Sequence, residues 1–146
     1  MGTAARFNKP TSVAVDTSGN LFVADYNNHL IRKISPAWSV TTVAGVANTT
    51  GSADGMGTAA SFNSPRSVAL DTIGTVYVAD KFNHRIRKIT PAGLVSTLAG
   101  GAAGFADGTI GTAHFNSPTG IAVDASGNLY VCEQTNRRIR KITPIF

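Results

Sequence analysis

Residues Gly19–Ile34 read GNLFVADYNNHLIRKI, and the chain writes this stretch three times. It returns as GTVYVADKFNHRIRKI over Gly74–Ile89 and as GNLYVCEQTNRRIRKI over Gly127–Ile142. Each copy holds two five-residue runs rich in Val, Ile, Phe and Tyr, split by a short polar link. That pattern predicts two antiparallel strands. Working outward, each copy is preceded by a further run: Ser12–Asp16, Ser67–Asp71 and Gly120–Asp124. A turn over Asp16–Asn20, Asp71–Thr75 and Asp124–Asn128 joins that run to the next, with Asp accepting backbone N–H groups and Gly supplying a positive φ. Two copies are followed by a fourth run, Ser39–Gly45 and Leu94–Gly100. Upstream, Phe7-Asn8-Lys9-Pro10 recurs as Phe62-Asn63-Ser64-Pro65 and Phe115-Asn116-Ser117-Pro118, in steps of 55 and 53 residues.

Four consecutive antiparallel strands per repeat make one blade of a β-propeller. A blade is a thin layer that cannot cover both faces alone, so neighbours stack on it. The expected fold is therefore all-β, with three blade repeats over residues 2–56, 57–110 and 111–146 of one domain, 1–146. The third repeat stops at Thr143-Pro144-Ile145-Phe146 without a fourth run, so about eleven strands are expected. Pro36, Pro91 and Pro144 close the third strand of each copy, since proline cannot donate to a ladder. No stretch carries a helical period.

Asn28-His29-Leu30, with Asn83-His84-Arg85 and Asn136-Arg137-Arg138 in the other copies, resembles the tripeptide that names the NHL repeat. The elements Gly-Asn-Leu-Phe-Val-Ala-Asp and Ile-Arg-Lys-Ile look like its bacterial form. The resemblance spans nearly the whole chain. It implies a six-bladed ring with the first strand of each repeat lining the axis, and an extracellular or envelope setting with a protein or glycan partner. Three blades leave two lateral faces open, and two chains of this kind would close a six-bladed ring. The same boundaries also suit a piece of a longer propeller or an engineered half-ring.

The 146 residues are 42% apolar and only 14% charged, which suits a turn-rich β protein rather than a disordered one. No apolar run is long enough to span a bilayer, and no signal peptide is visible. Cys132, the lone cysteine, forms no internal disulfide and is expected in the core from its strand position.

The formal net charge is +5. Nine of the thirteen basic residues fall in the third-strand block: Arg32, Lys33, Arg85, Arg87, Lys88, Arg137, Arg138, Arg140 and Lys141. They read chiefly as partners of the repeated acids Asp25, Asp80 and Glu133, and alternatively as basic bands for RNA or another polyanion. Stacking aromatics that would support nucleic-acid binding are few: Phe22, Tyr77 and Tyr130 look like core, and Tyr26, Phe82 and Trp38 look like surface.

Three histidines, His29, His84 and His114, are too few and too evenly spaced for a zinc lyase centre and read as loop residues holding backbone groups. The Asp turns lack the later Glu of a calcium loop. No nucleophile elbow or phosphate loop occurs. The reading is a non-catalytic scaffold or interaction module without cofactor or metal, whose partners include a second copy of itself. A specific ligand is expected at the copy-specific loop residues Trp38, Lys81, Phe82 and Gln134.

Overall fold

The computed structural model describes residues 4–143, and its regular elements are β-strands joined by turns and single 3-10 turns such as Tyr26–Asn28 and Lys81–Asn83. The first sheet runs β1 (Pro10–Val15), β2 (Leu21–Asp25), β3 (Leu30–Ile34) and β4 (Val40–Ala44), each antiparallel to the next. A two-residue strand β5 (Gly55–Met56) follows. The second sheet then runs β6 (Pro65–Leu70), β7 (Val76–Asp80), β8 (Arg85–Ile89) and β9 (Leu94–Gly100). The third has β10 (Pro118–Val123), β11 (Leu129–Glu133) and β12 (Arg138–Ile142) and no fourth strand among the described residues. The fold is thus the all-β, three-blade one, with eleven blade strands. β5 is extra: it pairs antiparallel with the outer edge of β9, so Gly55–Met56 extends the second sheet although it precedes that repeat's first motif.

The innermost strands β1, β6 and β10 touch one another along the blade axis. Ser12 Oγ accepts from the Val68 N–H at 3.1 Å, and Ser67 Oγ accepts from the Ile121 N–H at 3.2 Å. Each inner strand opens on a proline followed by a register shift, where a missing N–H costs no ladder bond. The Asp turns form as expected. Asp16 Oδ1 accepts from the Ser18 and Asn20 N–H groups at 2.9 and 2.8 Å, while Gly19 takes φ 82°.

The core lies in the seams between blades rather than within any one blade. In the first seam Phe22, Ala24, Ile31 and Ala44 meet Phe62, Val68, Val78 and Val95. In the second, Ala79, Ile86 and Ala99 meet Phe115, Leu129, Val131 and Ile142. Each blade therefore shows a smaller-residue face forward and a bulkier face backward. The first blade's backward face and the third blade's forward face are uncovered in this chain. Val13 is 61% exposed where its counterpart Val68 is 5% exposed, and Ile139 is 74% exposed where Ile86 is fully buried. Cys132 corrects the expectation of a core thiol. It is exposed because it sits on that uncovered forward face, at the place of the buried Ala79.

A histidine latch crosses each seam. His29 Nδ1 accepts from the Ser64 N–H, and His84 Nδ1 accepts from the Ser117 N–H, both at 3.0 Å. All four residues take left-handed backbone, with φ between 50° and 58°. The latch needs an unprotonated Nδ1. Burial holds His29 below its ordinary pKa, so the folded state resists its protonation. The stability that this contributes is full above the ordinary histidine value of about 6.5 and is lost as pH falls through the lower folded value. We expect acidification below about pH 6 to lower Tm, and His29→Asn to flatten that part of the slope. An equally steep slope in the variant would contradict the assignment.

Candidate functional site

The third-strand basic residues do not form one surface band, because neighbouring strand residues point to opposite faces. Arg32, Arg87 and Arg140 turn inward at matching positions. Arg87, fully buried, donates to Asp80 at 2.8 Å, to Asp54 at 2.7 Å and to the Ser61 carbonyl at 2.9 Å. Its guanidinium lies 5.1 Å from the Phe62 ring centroid. Arg140 repeats this with Glu133 at 2.9 Å, the His114 carbonyl at 3.0 Å and the Phe115 ring at 5.0 Å. Arg32 repeats it loosely, 3.4 Å from Asp25. The acids close the network from the other side. Asp80 Oδ1 accepts from the Asn63 N–H at 2.9 Å, and Oδ2 accepts from Asn83 at 2.7 Å. The repeated Phe-Asn, Asp or Glu, Asn and Arg thus constitute one structural staple per blade. As polyanion candidates, Arg87 and Arg140 are corrected: their burial removes them from surface contact.

The remaining basic candidates disperse. Lys33 turns to the opposite face, 5.8 Å from the Phe22 ring, and Lys88 and Lys141 hold the matching positions on their strands. Arg85 donates to the Ser52 carbonyl, Arg138 lies over Phe105, and Arg137 is exposed. His114 Nδ1 sits 3.4 Å from the Ala102 carbonyl. Among the described residues no three His, Cys, Asp or Glu side chains converge as metal ligands.

The copy-specific loop residues also divide. Lys81, Phe82 and Gln134 lie in β7–β8 and β11–β12 links, at the end where inner strands begin. Trp38 lies in the β3–β4 turn, at the opposite end, so it does not join them. It is exposed at φ 61° where the second copy has Gly93 at φ 94°. A left-handed backbone costs a non-glycine residue about 1–2 kcal/mol. Glycine's greater freedom in the unfolded chain offsets part of that. Trp38→Gly should therefore stabilise the fold by about 0.5–1 kcal/mol in urea denaturation, and a loss of stability would show that the indole makes a contact.

At the loop end a cluster forms from residues that differ among the repeats. Lys9 stands where the other copies have Ser64 and Ser117, Arg66 where they have Thr11 and Thr119, and Phe82 where they have Asn27 and Thr135. Lys9 Nζ lies 5.1 Å from the Tyr26 ring centroid, and Lys81 Nζ lies 5.7 Å from the same centroid. Lys81 Nζ is also 4.7 Å from the Phe82 centroid and donates to the Tyr26 hydroxyl at 3.5 Å. The two rings meet edge to face, 6.4 Å apart. Arg66 Nη1 donates to the Thr11 carbonyl, two residues from Lys9. These residues gather at the loop ends of the first two blades, beside the starts of β1 and β6, and form the mouth of that seam. Sequence reasoning singled out Lys81 and Phe82 but missed Lys9 and Arg66, and it placed Tyr26 on the surface, whereas the ring is buried beside Phe82 and the two lysines. The signal available was their departure from the repeat at positions beside the invariant proline of the three copies.

No side-chain carboxylate answers this charge. Asp16, Asp71 and Asp124 are spent in turns at the far end. Asp25, Asp80 and Glu133 are buried in the staples, and Asp54 and Asp107 pair with Arg87 and Arg140. These are all eight acids of the chain.

Comparison with known proteins agrees with this architecture. Relatives include Protein SUPPRESSOR OF QUENCHING 1, chloroplastic, of Arabidopsis thaliana, 38% identical over 94 residues. NHL repeat-containing protein 2 of Bos taurus is 40% identical over 93 residues. The alignments cover 63% and 62% of this chain but only 9% and 12% of those proteins. Among solved structures, an auxiliary nutrient binding protein from Bacteroides thetaiotaomicron superposes with a TM-score of 0.83 at 29% identity, over 90% of this chain and 36% of that one. Virginiamycin B lyase from Staphylococcus aureus shares the fold at a TM-score of 0.65 and 16% identity, over 92% of this chain and 38% of that one. The NHL repeat itself matches at residues 7–34, 62–89 and 115–142, the three copies of the staple and its hairpin. The chain belongs to the NHL repeat family of β-propellers.

Proposed function

We propose that this chain is a non-catalytic binding module: three blades of a six-bladed ring, with ligand taken at the seam mouth around Tyr26, Lys81 and Phe82. The observation that carries the reading is the gathering of copy-specific residues there, while the repeated residues are consumed by structure. All eight acids and the latch histidines His29 and His84 already hold structural hydrogen bonds, which leaves little for catalysis. Similarity to a nutrient binding protein supports a small-molecule ligand over a nucleic acid. Of the two mouth rings only Phe82 is exposed, since Tyr26 is buried, so successive bases would find no second ring to stack on.

The test is a thermal-shift panel of metabolites and glycans on the wild-type chain and on a Lys9→Ser, Lys81→Gln, Phe82→Thr variant. Each change installs a residue that another copy carries. Hits that vanish in the variant support the reading, and hits that persist unchanged overturn it.

The ring's other half is proposed to be a second copy. The uncovered faces are counterparts of faces that mate inside the chain: Phe7 and Val13 on the first blade match Phe62 and Val68. Tyr130, Cys132 and Ile139 on the third match Tyr77, Ala79 and Ile86. The chain spans 36% of the nutrient binding protein, so further blades are needed to complete such a ring.

A further inference from the structure

This inference rests on the seam-mouth reading above and assigns its ligand. We propose that the mouth binds a sugar acid, with its carboxylate held between Lys9 and Lys81 and a C–H face of its ring against Phe82. Two lysine ammonium groups approach one phenol ring from within 6 Å, and neither has a carboxylate partner. Every side-chain carboxylate in the chain is committed elsewhere, so the mouth holds positive charge that only an incoming anion neutralises. Arg66, with its guanidinium on the Thr11 carbonyl at the start of the inner strand, adds to the same field. Phe82, 47% exposed, supplies the apolar platform and meets Tyr26 edge to face. The Tyr26 hydroxyl, already taking a bond from Lys81, has its own proton to donate to a ligand oxygen. A cation pair beside an exposed ring matches a ligand that is anionic at one end and apolar on one face. An inorganic anion would leave Phe82 unused, and a neutral sugar would leave the lysines unpaired.

The test is isothermal titration of the chain with D-galacturonate, D-galactose and inorganic phosphate, repeated on Lys9→Ser and Lys81→Gln. These substitutions preserve the fold because Ser64 and Ser117 hold the Lys9 position at φ 55° and 50°, beside 54° for Lys9, and Gln134 holds the Lys81 position. We expect galacturonate to bind at least about tenfold more tightly than galactose or phosphate, and each lysine change to weaken it about tenfold. Equal binding of galactose, equal binding of phosphate, indifference to both lysine changes, or no binding of galacturonate overturns the proposal. If galactose binds as well as galacturonate while the triple variant still loses its panel hits, the binding module stands and the anionic assignment falls.

Discussion

Arg87→Ala should destabilise the protein by about 3–5 kcal/mol, the cost of removing one partner from a buried ion pair. Arg87 is fully buried and ties together three parts of the second blade. It joins β8 to Asp80 at the end of β7, to Asp54 and the Ala53 carbonyl in the link from the first blade, and to the Ser61 carbonyl beside Phe62. Its removal also uncovers the Phe62 ring that crosses the first seam. Asp80 is then left buried with donors from Asn63 and Asn83 but no cation. Burial already pushes the Asp80 carboxyl above the ordinary carboxylate range. An acid with a raised folded-state pKa gains relative stability as pH falls, so the penalty should be greatest near neutrality and shrink towards pH 4. Arg32→Ala should cost less, because Arg32 reaches only 3.4 Å from Asp25 and retains some exposure. Urea denaturation of both variants at pH 7 and pH 4.5 checks this. A loss below about 1 kcal/mol in Arg87→Ala would show that the staple is ornamental.

The second large effect concerns the seam between two chains. Inside the chain each seam carries two backbone latches, Ser12 to the Val68 N–H and His29 to the Ser64 N–H, repeated as Ser67 to Ile121 and His84 to Ser117. At the third blade's open face the first latch position is Gly120 and the second is Arg137. A second copy docked there in the same way would bury two N–H groups, of Lys9 and Val13, without acceptors. Each orphaned group costs about 1–3 kcal/mol. The dimer is therefore expected to form but to dissociate on dilution. Gly120→Ser with Arg137→His restores both latches. A β-carbon at Gly120 meets only Cys132, at ordinary contact distance, and Arg137 already holds the left-handed backbone of the other histidines. The double variant should tighten dimerisation by about 10- to 100-fold, measured by sedimentation equilibrium. No change would mean that the chains do not meet through these faces.

Much of this was legible because the repeat states each element three times. The strands, the Asp turns and the lack of a fourth strand among the described residues of the last blade follow from the alignment of Gly19–Ile34 with its copies. What stayed hidden is what alternation normally reveals. Both faces of a blade are covered, so apolar residues line both and the pattern does not say which way Arg87 or Lys88 points. Cys132 was misplaced for the same reason: its strand predicts burial, but its face has no described neighbour. The mouth cluster was only half visible. Lys9 and Lys81 lie far apart in sequence and reach the same Tyr26 ring only because adjacent blades bring their loop ends together. A two-residue strand such as β5 carries no periodicity at all.

The central claim is that three blades are half of a ring and that a second copy supplies the rest. Absolute mass by light scattering after size exclusion, over a range of concentrations, tests it most directly. The account predicts about 30 kDa, twice the 15.1 kDa chain, at high concentration, with a fall towards the monomer on dilution. A mass of 15.1 kDa at every concentration would contradict it and leave the remaining blades to another polypeptide.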